Sequence, residues 1–363
     1  MKFRGNSGFT HSQQDKVGVL ITNLGTPDAP TKSALKRYLK QFLWDPRVVE
    51  VPRPLWWAIL NFIILNTRPK RSAHAYSTVW TQQGSPLLLH TQNQAEGLAR
   101  RLRAGWGDNL VVDYAMRYGS PSIEAVADKM LAQGVRKLLV LPMYPQYSAS
   151  TVGSTFDALA QSFTQRRWLP ELRFISHYHD FAPYIDALAE KIQAHWQTHG
   201  RADKLVLSYH GVPKSYLEKG DPYFCECHKT SRLVAEKLGL QQGEYLTTFQ
   251  SRFGKAEWLQ PYTDMTLKSL PQQGVKSVQV VCPGFSADCL ETIEEIGVEN
   301  RGYFIEAGGE RYEYIEALNS DAAHLDALQS LIEQHLQGWD VEPVTQARQR
   351  EADKYGANDF SGQ

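Results

Sequence analysis

One histidine and a short acidic run have the residue types and spacing to move protons or hold a metal. His210 closes an apolar run, between Tyr209 and Gly211. An imidazole changes charge near neutral pH and therefore suits proton transfer, although a lone histidine at a strand end is more often structural. The acidic run reads Asp288-Cys289-Leu290-Glu291-Thr292-Ile293-Glu294-Glu295-Ile296. At ~100° per residue of an α-helix, Asp288, Glu291 and Glu295 fall within roughly 60° of one face, and Glu294 lies to the side. Such a line can carry hard divalent cations or protons. Alone, it equally fits a solvated acidic face near a helix N-terminus. A third group, Cys225-Glu226-Cys227-His228, is open to a metal or to plain reduced thiols.

These residues need strands and helices to bring them together. Strand-like apolar runs occur at Val17–Asn23, Leu110–Ala115, Lys137–Pro142, Leu172–Ser176, Lys204–Ser208, Glu244–Phe249 and Ser277–Cys282. Helical patterns at Leu87–Arg103, Ile123–Gln133, Pro183–Gln197 and Thr230–Leu238 alternate with them, and Asp321–Leu336 follows the last strand. Continuous apolar strands separated by helices predict parallel sheets covered on both faces. The order recurs in each half, so the fold class is α/β: two doubly wound, Rossmann-like domains with a cleft between them. The expected divisions are an irregular extension over 1–16, an N-terminal domain over 17–190, a C-terminal domain over 191–340 and a loose charged tail over 341–363.

In open α/β sheets, ligands bind beyond the carboxyl ends of the strands. Those ends read Leu24-Gly25-Thr26-Pro27, Met116-Arg117-Tyr118-Gly119, Met143-Tyr144-Pro145-Gln146-Tyr147-Ser148, Tyr209-His210-Gly211-Val212-Pro213 and Pro283-Gly284-Phe285-Ser286-Ala287-Asp288. They are rich in Tyr, Arg, Ser, Asp and His, where a purely structural chain would place plainer turn residues.

Taken in order, these segments resemble the ferrochelatases. In the second half the matching motifs are Tyr209–Pro213, Gly220-Asp221-Pro222-Tyr223, Gln250-Ser251, Trp258-Leu259-Gln260-Pro261, and Gly284-Phe285 through Asp288–Thr292. The first half adds Asn23–Pro27, Gly84-Ser85-Pro86, Arg117-Tyr118 and Tyr144–Ser148. The resemblance runs from about Val17 to Leu336. It implies an enzyme of the chelatase fold that inserts ferrous iron into a porphyrin, with protoporphyrin IX as the expected substrate. It implies catalytic roles for His210 and Glu291, metal handling by these two with Glu295 and Asp288, and a macrocycle lined or flanked by Leu24, Arg117, Tyr118, Tyr147, Ser148 and Trp258. Ferrous iron is then substrate, and no further cofactor is expected. Cys289 stands where some relatives carry His, so a metal role copied from that His is in doubt. Animal members hold a [2Fe-2S] cluster through C-terminal cysteines; no Cys follows Cys289, so a cluster of that kind is not expected. A cobalt chelatase and a non-catalytic haem carrier are the competing readings. The N-terminal motifs disfavour the first, and the pairing of His210 with Glu291 disfavours the second.

Lys+Arg and Asp+Glu both number 39, so the formal net charge is zero and nothing points to nucleic acid. Four cysteines, all between 225 and 289, do not make a secreted disulfide framework. Residues 1–15 lack the apolar core of a signal peptide, so a cytoplasmic location is expected. The stretch Leu55–Leu65 is apolar, holds Trp56 and Trp57, and is flanked by Arg53, Arg68, Lys70 and Arg71. It is too short to span a bilayer. Its apolar side chains spread over roughly 220° of a helix, more than one face buries. The region 51–71 is therefore expected to form an apolar lip in peripheral contact with the inner face of the cytoplasmic membrane; a buried helix with a basic end is the plain alternative.

Overall fold

The computed structural model describes residues 3–5, 13–254 and 256–340. The expected tail over 341–363 lies outside the described residues, as does most of the extension over 1–16. Among the described residues, eight strands form two sheets: β1 (Lys16–Thr26), β2 (Leu110–Gly119), β3 (Val135–Pro142) and β4 (Glu171–Phe174), then β5 (Lys204–His210), β6 (Tyr245–Gln250), β7 (Ser277–Val281) and β8 (Arg311–Ile315). The strand orders are β2-β1-β3-β4 and β6-β5-β7-β8, parallel throughout. Both halves thus have the same winding, and in each the first strand lies inside the sheet. The chain leaves β1 and β5 toward opposite neighbours in turn, which opens a crevice at their carboxyl ends. The run Val17-Gly18-Val19-Leu20-Ile21 is apolar because β1 is covered on both faces.

Twelve α-helices of the described residues flank and connect the strands. They are α1 (Lys32–Trp44), α2 (Arg53–Ala58), α3 (Leu65–Val79), α4 (Pro86–Trp106), α5 (Ile123–Ala132), α6 (Ser154–Phe163), α7 (Ala182–His199), α8 (Lys214–Glu218), α9 (Tyr223–Lys237), α10 (Thr263–Ser269), α11 (Arg301–Glu306) and α12 (Ala322–Leu336). Three π-helical stretches interrupt this pattern, at Ile59–Ile64, Ala149–Gly153 and Glu291–Asn300. Such wide turns are rare and concentrate at functional sites.

The two sheets share one core. A continuous apolar cluster joins Ile21 and Leu139 of the first half to Leu205 and Leu207 of the second, with Leu325, Leu328 and Ile332 of α12. A Cβ at Gly97 of α4 would stand 2.6 Å from Leu325 Cδ1, so the glycine allows α4 and α12 to touch. Buried amides lock the halves as well. Gln94 Nε2 donates to Ser286 O at 2.8 Å and to Asn319 O at 2.9 Å, and Gln146 Nε2 donates to Thr230 Oγ1 at 3.0 Å. Each is costly to leave unpaired in an interior, so the crevice has a fixed shape.

Candidate active site

A cleft of about 330 Å³ opens where the carboxyl ends of the two sheets meet. That volume lies at the lower end of ligand pockets. Its walls are mainly aromatic and aliphatic, from Leu24, Tyr38, Phe42, Tyr76, Tyr144 and Trp258 among others. Gly25, at φ +109°, ends β1 beside Leu24; a Cβ there would lie 1.7 Å from Tyr118 O, so no larger residue fits.

His210 ends β5 and lines the cleft. Its Nδ1 lies 2.6 Å from Gly211 O. A carbonyl only accepts, so Nδ1–H donates, and in the neutral imidazole the lone pair is then on Nε2. In the sheet His210 pairs with Gln250, the last residue of β6. Gln250 Oε1 accepts from Ser208 Oγ at 2.8 Å, and its Nε2 donates to Glu291 O at 3.1 Å. This single amide therefore couples the ends of β5 and β6 to the first residue of the π-helix.

Glu291 also lines the cleft, close enough to Tyr38, Tyr76 and Cys289 to push their pKa values further up, on top of the burial that raises all three first. Glu295 stands four residues on. Burial is the chief reason that its carboxyl is raised to about 7, against a lowering hydrogen bond from Ser251 Oγ and a further rise from Glu291. Ser251 has φ 66°, a strained value for a side chain other than Gly. Its backbone holds the hydroxyl against Glu295, and it borders the cleft itself. Ser251 and Glu295 thus form a hydrogen-bonded pair four residues on from Glu291, with Ser251 and Glu291 both lining the cleft.

Other expected residues are placed differently. Asp288 precedes the helix and is buried. Its carboxylate accepts from Thr292 Oγ1, the Tyr314 hydroxyl and Asn319 Nδ2 at 2.6–2.8 Å. It is held among these side chains just before the helix and does not share the line of Glu291 and Glu295; the α-helical arc does not apply, because the segment from Glu291 is wound as a π-helix. Glu294 feels Arg71 and His74 of α3, away from Ser251. Leu24, Ser148 and Trp258 do line the cleft. Arg117 and Tyr118 are behind its wall. Arg117 bonds Asp45 and Ser154, and the fully buried Tyr118 hydroxyl donates to Asp45 Oδ2 at 2.8 Å. Burial would raise the Asp45 carboxyl, but Ser154, Arg47 N–H, Tyr118 and Arg117 together hold it below the usual carboxylate range. Tyr147 is half-buried and gives its backbone N–H to Glu226 at 2.7 Å. Cys227 and Cys289 are buried and Cys225 is exposed.

Sequence reasoning missed Tyr38, Phe42 and Tyr76. Tyr38 and Phe42 stack four residues apart on α1, a helix left unread between strands. Thr31, whose hydroxyl accepts from Ala34 N, was its available start signal. Of the four basic residues flanking the apolar stretch, Arg68 borders the cleft and lies over the Phe253 ring at 3.9 Å.

Two like-wound parallel sheets, with an imidazole and a carboxylate at the bottom of an apolar crevice, define an α/β metal chelatase. The fold is shared with the solved structure described as SirB from Bacillus subtilis with Fe3+, at TM-score 0.50 and 10% identity, covering 90% of this chain and 100% of that one. A family model described as Ferrochelatase matches residues 16–336. Proteins named Ferrochelatase from Idiomarina loihiensis and Pseudoalteromonas atlantica are 69% and 70% identical, over 98% and 94% of this chain and 97% and 94% of their own. The chain belongs to the ferrochelatase family.

Proposed function

We propose that this enzyme inserts ferrous iron into protoporphyrin IX by dividing the work between the walls of the cleft. Insertion of iron into a porphyrin for haem synthesis follows from the family; the substrate and the residue roles are the proposal. Iron replaces two pyrrole N–H protons, so two protons must leave as Fe²⁺ enters. His210 Nε2 accepts one. Glu291 accepts the other and passes it outward to Glu295, whose carboxyl titrates near neutrality and so both takes and releases a proton. Leu24, Ser148 and Trp258 hold the macrocycle. Tyr38, Phe42 and Tyr144 form an unyielding apolar wall that favours a bent ring with exposed nitrogen lone pairs. Arg117, Tyr118 and Tyr147 support this wall from behind. Asp288 fixes the turn that aims Glu291. Iron is substrate, and no other cofactor takes part.

The hydrogen bond from His210 Nδ1 to Gly211 O carries the reading most, because it leaves the basic nitrogen free in the same cleft as Glu291. Anaerobic mixing with Fe²⁺ and protoporphyrin tests it. Many turnovers per protein are expected; a spectral shift that stops at one equivalent would make the protein a carrier instead.

We further propose that two domains, 17–190 and 191–340, meet within α7, and that residues 51–71 rest on the inner face of the cytoplasmic membrane. Trp56 is buried, with Nε1 donating to Leu43 O at 2.6 Å, and anchors the segment. Its neighbour Trp57 is 51% exposed, with Leu55, Phe62 and Ile63 at 56%, 67% and 57%. Such a contiguous apolar face fits a lipid interface, and among the described residues no helix is long and apolar enough to cross a membrane. Wild type should float with anionic liposomes at low salt, and a variant with Trp57, Phe62 and Ile63 changed to Ser should not. Equal flotation of the two proteins would remove the lip from membrane binding.

A further inference from the structure

Among the described residues, one group of three metal-ligating side chains converges, and it lies outside the cleft: His177, His179 and Glu226. The histidines come from the loop between β4 and α7, and Glu226 comes from the first turn of α9. His177 Nδ1 is 2.7 Å from Glu226 Oε1, His179 Nδ1 is 3.3 Å from Oε2, and all three ligand atoms lie within 4.8 Å. Ligands about 2.0–2.1 Å from a tetrahedral ion stand ~3.3 Å apart, so these separations suit one ion with little movement.

Hydrogen bonding alone leaves this group incomplete. His179 is 6% exposed, and its Nδ1 faces Glu226 Oε2 at 3.3 Å without hydrogen-bonding geometry, so this buried nitrogen makes no hydrogen bond. Glu226 is equally buried, and among the described residues its ion pairs are with these two imidazoles. The nearby Lys229 is engaged with Asp180. A divalent cation would satisfy the bare nitrogen and neutralise the buried carboxylate together.

We infer that His177, His179 and Glu226 form a second metal site, for one borderline divalent cation of the Fe²⁺, Co²⁺ or Zn²⁺ class. Two imidazoles and one carboxylate match that class and leave positions open to water. One outer partner is in place: Tyr147 N–H donates to Glu226 Oε2 at 2.7 Å. Asp180, 3.9 Å from His179 Nε2, adds a nearby negative charge but no hydrogen bond. Half-exposed His177 gives a path from solvent. Because Tyr147 precedes Ser148, the site sits against the back of the cleft wall.

The inference is independent of the roles proposed in the cleft, and the experiment excludes them. Full-length protein carrying His210→Ala and Glu291→Gln is dialysed against Zn²⁺, and against Co²⁺ to record its visible bands. One equivalent of each metal is expected to bind. Adding His177→Ala, at a half-exposed position, should weaken Zn²⁺ binding by more than about 10-fold, since loss of even an outer partner has that effect. Adding His179→Gln should do the same, with folding checked by circular dichroism. Absence of bound metal in the parent variant would overturn the inference. So would unchanged Zn²⁺ affinity in the His177→Ala protein.

Discussion

The two sheets have the same strand order, yet their carboxyl ends carry opposite chemistry. Around β5, β6 and β7 the ends present His210, Ser251, Glu291 and Glu295, all with polar atoms that can take part in proton transfer. Around β1, β2 and β3 the cleft-facing residues include Leu24, Tyr144 and the aromatic rings of α1 and α3, with neutral polar groups such as Asn23, Gln146 and Ser148 but no carboxylate or imidazole. Of the ionisable groups of that half, Asp45 and Arg117 turn inward and pair behind the wall, while Arg68 borders the cleft over the Phe253 ring. One winding therefore serves two purposes. In the proposed mechanism the second half supplies proton acceptors, and the first supplies shape.

The sharpest way to break this comparison is to remove an acceptor from the second half. His210→Ala should lower kcat by about 10²–10⁴-fold, the usual worth of a general base, with an unchanged circular dichroism spectrum. Near-normal turnover in folded protein would take His210 out of the mechanism. Glu291→Gln should be nearly as severe, and Glu294→Gln close to neutral, because Glu294 faces α3. Equal losses at the two positions would end the claim that a directed proton path leaves the cleft.

The first half should respond in stability. Arg117→Ala leaves the Asp45 carboxylate buried without its cation, which typically costs about 3–5 kcal/mol. Asp45 keeps Ser154, Tyr118 and Arg47 N–H, so the lower end of that range is expected in urea unfolding. A stable Arg117→Ala protein with abolished turnover would place Arg117 in the chemistry instead.

A smaller effect sharpens the role of Glu295. Its carboxyl rises from an ordinary 4.5 to about 7 on folding, chiefly through burial. The folded state then holds this proton more tightly than the unfolded chain, so a stability penalty begins above about pH 4.5 and is complete above about pH 7. Glu295→Gln should raise Tm relative to wild type at pH 8, and the difference should vanish near pH 4.5. A lower Tm for the variant at pH 8 would show that the ionised carboxylate is stabilised, contrary to its burial.

Much of this contrast was readable in the residues. The apolar strands and the polar residues at their ends placed a cleft correctly, since burial on both faces leaves a continuous signal. β8 escaped because Arg311-Tyr312-Glu313-Tyr314-Ile315 lies at a sheet edge and is only partly buried. The acidic run was legible as chemistry but not as geometry. Its spacing suggested an α-helical face with Asp288, whereas the π-helical winding begins at Glu291 and leaves Asp288 buried before it, bonded to Thr292, Tyr314 and Asn319. Arg117 and Tyr118 stood at a strand end as expected, but alternation along a strand does not say which face meets a ligand and which meets Asp45. The convergence of His177 and His179 with Glu226 joins parts of the chain about fifty residues apart, and no local pattern carries it.

The central claim is that the second half supplies the proton acceptors while the first supplies the fit. The most direct measurement compares wild type with the His210→Ala, Glu291→Gln double variant, recording protoporphyrin affinity by fluorescence quenching and anaerobic Fe²⁺ turnover on the same preparations. The division of labour predicts porphyrin affinity within a few-fold of wild type and turnover lost by at least the 10²–10⁴-fold of a missing general base. Turnover within tenfold of wild type by the folded double variant would contradict it.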